Sequence, residues 1–299
     1  MALNLHTAKG GAPHRAIIYG RPGFGKSRLA LSLPDTAEWG DILYYAADEG
    51  SEDLASVDPK YVHHPNGERR IHVLKPDSGD AGDDSPILNF NEFAYRNWRK
   101  EKDEHGKYPF AKVKTLVIDT YTKIANDVIA WSANNQAVTA ERHYTVGDPA
   151  KGGQVIPNRG DYMAIAALSR GFLSALFEHQ REMNIIYVMH EEMNVIEGVG
   201  AQGGPAHPGR QMTEELPAKF PTVIRVDRRT EPGKGGAPSR KVVVAITESS
   251  GQYLAKFREN GTVGNPMPEV VLDIDPVNFW VRFSEAMAKI NGQMAATKE

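Results

Sequence analysis

The residues best suited to chemistry lie close together near the start of the 299-residue chain. Gly20, Arg21, Pro22, Gly23, Phe24, Gly25, Lys26 and Ser27 fit the spacing G-x-x-x-x-G-K-[ST]. Glycines at those places let consecutive backbone N–H groups curve around a β-phosphate, and a following helix directs its positive end at the anion. Lys26 then reaches the β- and γ-oxygens, the Ser27 hydroxyl is a ligand for Mg²⁺, and Arg28 completes the nucleotide-binding set. The plainer reading is a glycine turn that merely precedes a lysine. It leaves unexplained the β-rich run before the motif, residues 16–19, and the helical pattern after it, residues 27–33.

Triphosphate chemistry also needs a carboxylate that organises Mg²⁺ from the end of a neighbouring strand. Thr115, Leu116, Val117, Ile118 and Asp119 form such a run, ending in Asp119. By itself this is equally an ordinary buried strand closing on a turn-forming Asp; beside a phosphate loop it makes the chain a P-loop NTPase with ATP and Mg²⁺ as cofactors. Residues 42–47 form another β-rich run and end in Asp48, Glu49 and Gly50, which brings a carboxylate to the carboxyl edge of the sheet. Glu49 is the candidate to polarise the attacking water, with turn capping by Asp48 or Glu49 as the alternative. A third run, residues 184–189, ends in His190 and Glu191, and His190 is the candidate sensor of the γ-phosphate, against a surface histidine with no task.

These residues must be positioned by alternating strands and helices. β-rich runs at 16–19, 42–47, 71–75, 115–119 and 185–190, several separated by helical patterns, predict an α/β domain with a mostly parallel sheet flanked by helices. Helices are expected from about 124 to 134 and from 161 to about 181, the latter capped by Asp161. Beyond Phe220, residues 222–227, 241–247 and 253–257 read as strands joined by glycine-rich turns, an antiparallel extension of the sheet. The chain closes with an amphipathic helix from about Pro276 carrying Phe279, Trp280, Phe283 and Met287 on one face. Glycine and proline cluster near 146–160, 198–209 and 232–238, which predicts mobile loops. Residues 76–104 hold eight acids and four bases and read as a surface insertion, spanning about 76–110. One domain over 1–299 is expected, with its core at about 14–260 and an extension at about 261–299.

Composition narrows the field. With 35 Lys plus Arg against 38 Asp plus Glu, the net charge of −3 excludes a histone-like protein. No apolar stretch approaches the roughly 18 residues of a membrane span, the first 15 residues lack the apolar core of a secretory signal, and a cytoplasmic location, with no membrane partner, is expected. The absence of cysteine excludes disulfides, thiolate zinc sites and cysteine nucleophiles.

On its phosphate loop, its Asp48-Glu49 pair and its strand ending in Asp119, the chain resembles the RecA-like ATPase core. More narrowly it resembles the phage-type AAA-family ATPases that include RecA-like single-strand annealing proteins of bacteriophages. The run 156–162 is similar to a segment those phage proteins carry before their long helix. The resemblance covers roughly residues 16–258, and the phosphate loop is its most specific part. RecA carries a glutamine where this chain has His190. The resemblance implies a DNA-binding loop at about 196–213, and residues 205–241 carry a local charge of +4 that suits a nucleic-acid backbone. Arg210, Lys219, Arg225 and Arg228 are the DNA-binding candidates, although a solvated flexible loop would carry the same charges. His207 and Phe220 are the only nearby aromatics that could stack on a base. Lys256 and Arg258 project from the same side of a late strand; the resemblance implies that they reach into a neighbouring subunit's ATP site, and exposed strand charges are the alternative.

The leading expectation is an oligomeric ATPase, in a ring or a filament, that binds single-stranded DNA and supports annealing or recombination alongside phage or host recombination proteins. A nucleotide-gated interaction protein with slow or no turnover is the second. A small-molecule kinase lacks an arginine-rich lid after the Asp119 strand, and an AAA+ remodelling machine would have a helical C-terminal lid where this chain has strands.

Overall fold

The computed structural model describes residues 13–48, 54–76, 86–137, 145–146, 154–157, 159–196, 200–232, 238–250, 252–257, 267, 269–272 and 276–296. The chain begins with β1 (Arg15–Gly20), α1 (Lys26–Leu31), β2 (Asp41–Ala46), α2 (Pro59–Val62) and β3 (Ile71–Leu74). It continues through α3 (Pro86–Tyr95), β4 (Val113–Asp119), α4 (Tyr121–Ala137), a small hairpin of β5 (Thr145–Val146) with β6 (Gln154–Val155), and α5 (Arg159–His179). Next come β7 (Asn184–Ile196), β8 (Gly200–Pro205), α6 (Arg210–Lys219) and β9 (Thr222–Glu231). The last elements are β10 (Arg240–Ile246), β11 (Lys256–Phe257), β12 (Glu269–Val271) and α7 (Val277–Ala296).

The main sheet runs in the order β12-β10-β9-β1-β7-β4-β2-β3, with β11 also pairing with β9 and β8 with β7. From β3 to β9 the pairs are parallel, while β10, β11 and β12 are antiparallel additions. β1 is central, and the chain leaves it on both sides. Its carboxyl end is therefore a switch point, where an open α/β sheet leaves a crevice for ligand.

Central parallel strands are apolar on both faces because helices cover both. Ile17 and Tyr19 face a core with Phe90, Phe93, Tyr121, Phe172 and Phe220, built from α3, α4, α5 and α6. Ala16 and Ile18 face a second core with Leu29, Trp39, Phe279, Trp280 and Phe283. There α7 is clamped to α1 through the Trp280 indole, which donates to the Leu29 carbonyl at 2.7 Å, while Trp39 donates to Ser284 Oγ at 3.2 Å. The α/β class, the mostly parallel sheet and the antiparallel C-terminal strands agree with the expectation.

Several local expectations are corrected. The acidic stretch is more than a surface insertion, because α3 lies within it and buries Phe90, Phe93 and Ala94 completely, with Trp98 just beyond. Residues 200–205 form strand β8 rather than a mobile loop, laid antiparallel on the second half of β7. Asp161 is buried inside α5, where its carboxylate accepts a hydrogen bond from Ser132 Oγ at 3.0 Å, so it ties α5 to α4. Strand β11 spans only two of the five residues expected. Among the described residues no helix is long and apolar enough to cross a membrane.

Candidate nucleotide site

The phosphate loop starts where β1 ends. Gly20 has φ +157° and its Cα faces the Val226 carbonyl so closely that any Cβ would collide with it. Gly25, with φ +90°, turns the chain into α1 in a conformation that side chains disfavour. The Lys26 side chain folds back so that Nζ donates to the Arg21 carbonyl at 3.1 Å. Burial lowers the Lys26 pKa, partly offset by Asp119, Asp48 and Glu191.

Strand pairing brings the other groups to the same edge. Gly20 is level with His190 across β1 and β7, and Ala46 with Asp119 across β2 and β4. Asp119 is buried, which raises its pKa against the opposing effect of hydrogen bonds from Ser27 and Tyr44 and the charge of Lys26. The Tyr44 hydroxyl donates to Asp119 Oδ2 at 2.8 Å. Ser27 and Asp119 thus stand in contact, a hydroxyl and a carboxylate oxygen of the kind Mg²⁺ takes, and Lys26 lies beside them. This donor set fits a Mg²⁺–nucleotide.

His190 faces Asp48, with Nε2 to Oδ2 at 3.6 Å. Its pKa is lowered by burial and then by Lys26, with Asp48 and Asp119 opposing, which favours the neutral imidazole. The His190 amide donates to Thr122 Oγ1 at 3.0 Å, and that hydroxyl donates to the Ala206 carbonyl at 2.9 Å. One side chain from α4 therefore joins His190 to the end of the β7–β8 hairpin.

A model of the AAA domain family AAA_24 matches residues 12–259. The chain belongs to this AAA domain family. No curated protein matches it. Among solved structures it is similar to the RadB recombinase, with 15% identity over 79% of this chain and 81% of that one, at a TM-score of 0.39.

In this AAA domain Lys26, Ser27, Asp119 and His190 converge on one edge, whereas Glu49 and Arg258 lie outside the described residues. Lys256 pairs with Val223, level with Ile17, so it stands about three strand residues, roughly 10 Å, below Gly20. It is not part of its own subunit's phosphate loop.

The four DNA-binding candidates are not brought together. Arg210 and Lys219 are exposed at opposite ends of α6, about 14 Å apart along the helix. Arg225 is 6% exposed. Its guanidinium is held by Glu191 and Asp227, each at 2.8 Å, and lies 3.4 Å from the Tyr253 ring centroid. Arg228 donates to the Gly23 carbonyl at 2.5 Å and belongs to the phosphate loop's surroundings. His207 and Phe220 are buried, at 3% and 0% exposure, so neither can stack on a base.

Two groups carry no role in the sequence pattern, Tyr44 on Asp119 and Glu191 bridging Arg21 of the loop (3.3 Å) to Arg225, while Arg228, expected on DNA, lies on the phosphate loop. A usable signal existed only for Glu191, which follows His190 at a strand end.

Proposed function

We propose that the chain binds ATP at residues 20–28 and hydrolyses it. The observation that carries this reading is the convergence of Lys26, Ser27 and Asp119 at the carboxyl edge of the sheet, with His190 and Asp48 facing each other beside them. Ser27 and Asp119 would hold Mg²⁺, which supplies charge neutralisation across the β- and γ-oxygens when bound. Lys26 leaves the Arg21 carbonyl to meet the phosphates. Neutral His190 donates or accepts a hydrogen bond at the γ-phosphate, and its amide, through Thr122 and Ala206, passes the state of the site to the β7–β8 hairpin. Glu49, which follows Asp48 in the sequence, is the residue assigned to orient the attacking water.

The finer reading is a RecA-like ATPase that binds single-stranded DNA at the hairpin end of the molecule, self-associates with Lys256 and Arg258 directed at the neighbouring subunit, and supports annealing or recombination in a phage context. The exposed Arg210 beside the hairpin supports it. The dispersal of the other three basic candidates favours a second reading, a nucleotide-gated interaction protein with no direct DNA role.

The test is the ATPase rate with and without single-stranded DNA. Lys26→Ala is expected to abolish hydrolysis, and single-stranded DNA to stimulate the wild type in a manner that weakens steeply with salt. Full turnover in Lys26→Ala would overturn the site; an unstimulated rate would leave the gated-interaction reading.

A further inference from the structure

We propose that Arg228, which the sequence assigns to DNA, is instead a nucleotide-holding residue that grips the ribose and base half of the bound nucleotide in its own subunit. This rests on the ATP-site reading above and deepens it.

The site has a direction. β1 lies between β7 on one side and β9 on the other. Asp119, His190 and Asp48, the groups suited to the γ-phosphate and its water, all lie on the β7 side. A nucleotide whose triphosphate follows the loop amides with its γ end toward those groups must extend its ribose and base toward β9 and β10. A cavity of about 400 Å³ opens there, walled on one side by residues 23–29 of the loop and α1, and on the other by Arg228, Val243, Leu272 and Pro276. Val243 is the registered partner of Arg228 on β10. The wall is apolar except for the guanidinium, a composition that suits a flat base beside a polar sugar.

Arg228 is anchored without being used up. One Nη donates to the Gly23 carbonyl, and the guanidinium carbon is 5.1 Å from the Phe24 ring centroid. A guanidinium has five N–H donors in a fixed fork. Held at the junction of the phosphate-binding amides and the apolar wall, its remaining donors can meet the α-phosphate, the ribose or a base acceptor. A contact at that end is the same in ATP, in the transition state and in ADP, so it strengthens binding without accelerating the chemical step.

The experiment is calorimetric titration of wild type, Arg228→Ala, Arg228→Lys and Lys26→Ala with ATP and with ADP in Mg²⁺, alongside steady-state hydrolysis, melting of the ligand-free proteins and nucleotide-free binding of an oligo-dT strand. Arg228→Ala is expected to weaken ATP and ADP alike by about ten-fold or more, the value of a charge-assisted hydrogen bond. It should raise KM with kcat within about two-fold, leave the ligand-free melting temperature and oligo-dT affinity unchanged, and be partly rescued by Arg228→Lys. Wild-type affinity for both nucleotides in Arg228→Ala, or a loss confined to oligo-dT, overturns the proposal while leaving the ATP site standing. A wild-type chain that does not bind ATP overturns the site itself and the proposal with it.

Discussion

Burial decides what His207 can do. Its Nδ1 accepts from the Gly209 amide at 2.9 Å, its Nε2 meets Ser169 Oγ at 2.9 Å, and its ring stacks on Tyr121 at 6.1 Å. Burial pushes its pKa down to about 4, against a smaller opposing effect of the hydrogen bond with Gly209. The unfolded chain takes up the proton first, so this neutral histidine contributes fully above about pH 6.5 and its contribution is lost as pH falls toward 4, on the order of 3 kcal/mol in all. Urea midpoints measured from pH 7 to 4 are expected to fall more steeply in wild type than in His207→Gln; parallel slopes would contradict the assignment. The Glu191–Arg225 pair is buried too, and Glu191→Gln leaves Asp227 as the one carboxylate on Arg225 among the described residues. A loss near the low end of about 3–5 kcal/mol in equilibrium unfolding is expected. Lys26, Ser27 and Asp119 were legible because their meaning lies in contiguous residues, whereas Arg225 and Arg228 look alike in sequence and differ only in which neighbours fold beside them.

Helices α5 and α7 were legible at the level of elements, since Phe172, Leu173 and Leu176, and Phe279, Trp280 and Phe283, repeat at helical spacing and are all buried. Strand β8 was not. Its sequence, Gly-Ala-Gln-Gly-Gly-Pro, has the composition of a loop, and it forms because β7 overshoots the parallel sheet by six residues and offers an edge to pair with. Close packing explains Gly203, where a Cβ would strike the Tyr253 ring. Helix α3 was hidden by the acids around its apolar stripe. Helix α7 carries the clearest prediction at this scale. It supports α1 through Trp280, so Trp280→Ala should cost about 3–5 kcal/mol in urea unfolding and also weaken ATP binding. Unchanged ATP affinity in a folded variant would show that α7 does not set the position of α1.

For the whole molecule, stability and the proposed function oppose each other at Asp119. Its buried carboxylate suits a metal ion, and Asp119→Asn should raise the melting temperature of the ligand-free protein, by about 1 kcal/mol in stability, while abolishing Mg²⁺-dependent hydrolysis. A lower melting temperature would mean that the carboxylate holds the fold together. Assembly is tested separately: if Lys256 acts on a neighbouring subunit, the rate per subunit rises with protein concentration in wild type and stays flat in Lys256→Ala. The sequence by itself determined the phosphate loop, the strand that delivers Asp119, the α/β class and the antiparallel end. Each is encoded in a short contiguous pattern: glycines that free a backbone turn, or apolar runs with strand or helix periodicity. Only the tertiary structure decided which basic residues lie against the phosphate loop, which are buried and which remain on the surface. The order of strands places β9 beside β1 and so brings Arg228 onto Gly23, 205 positions away in the chain, and no local pattern records that contact.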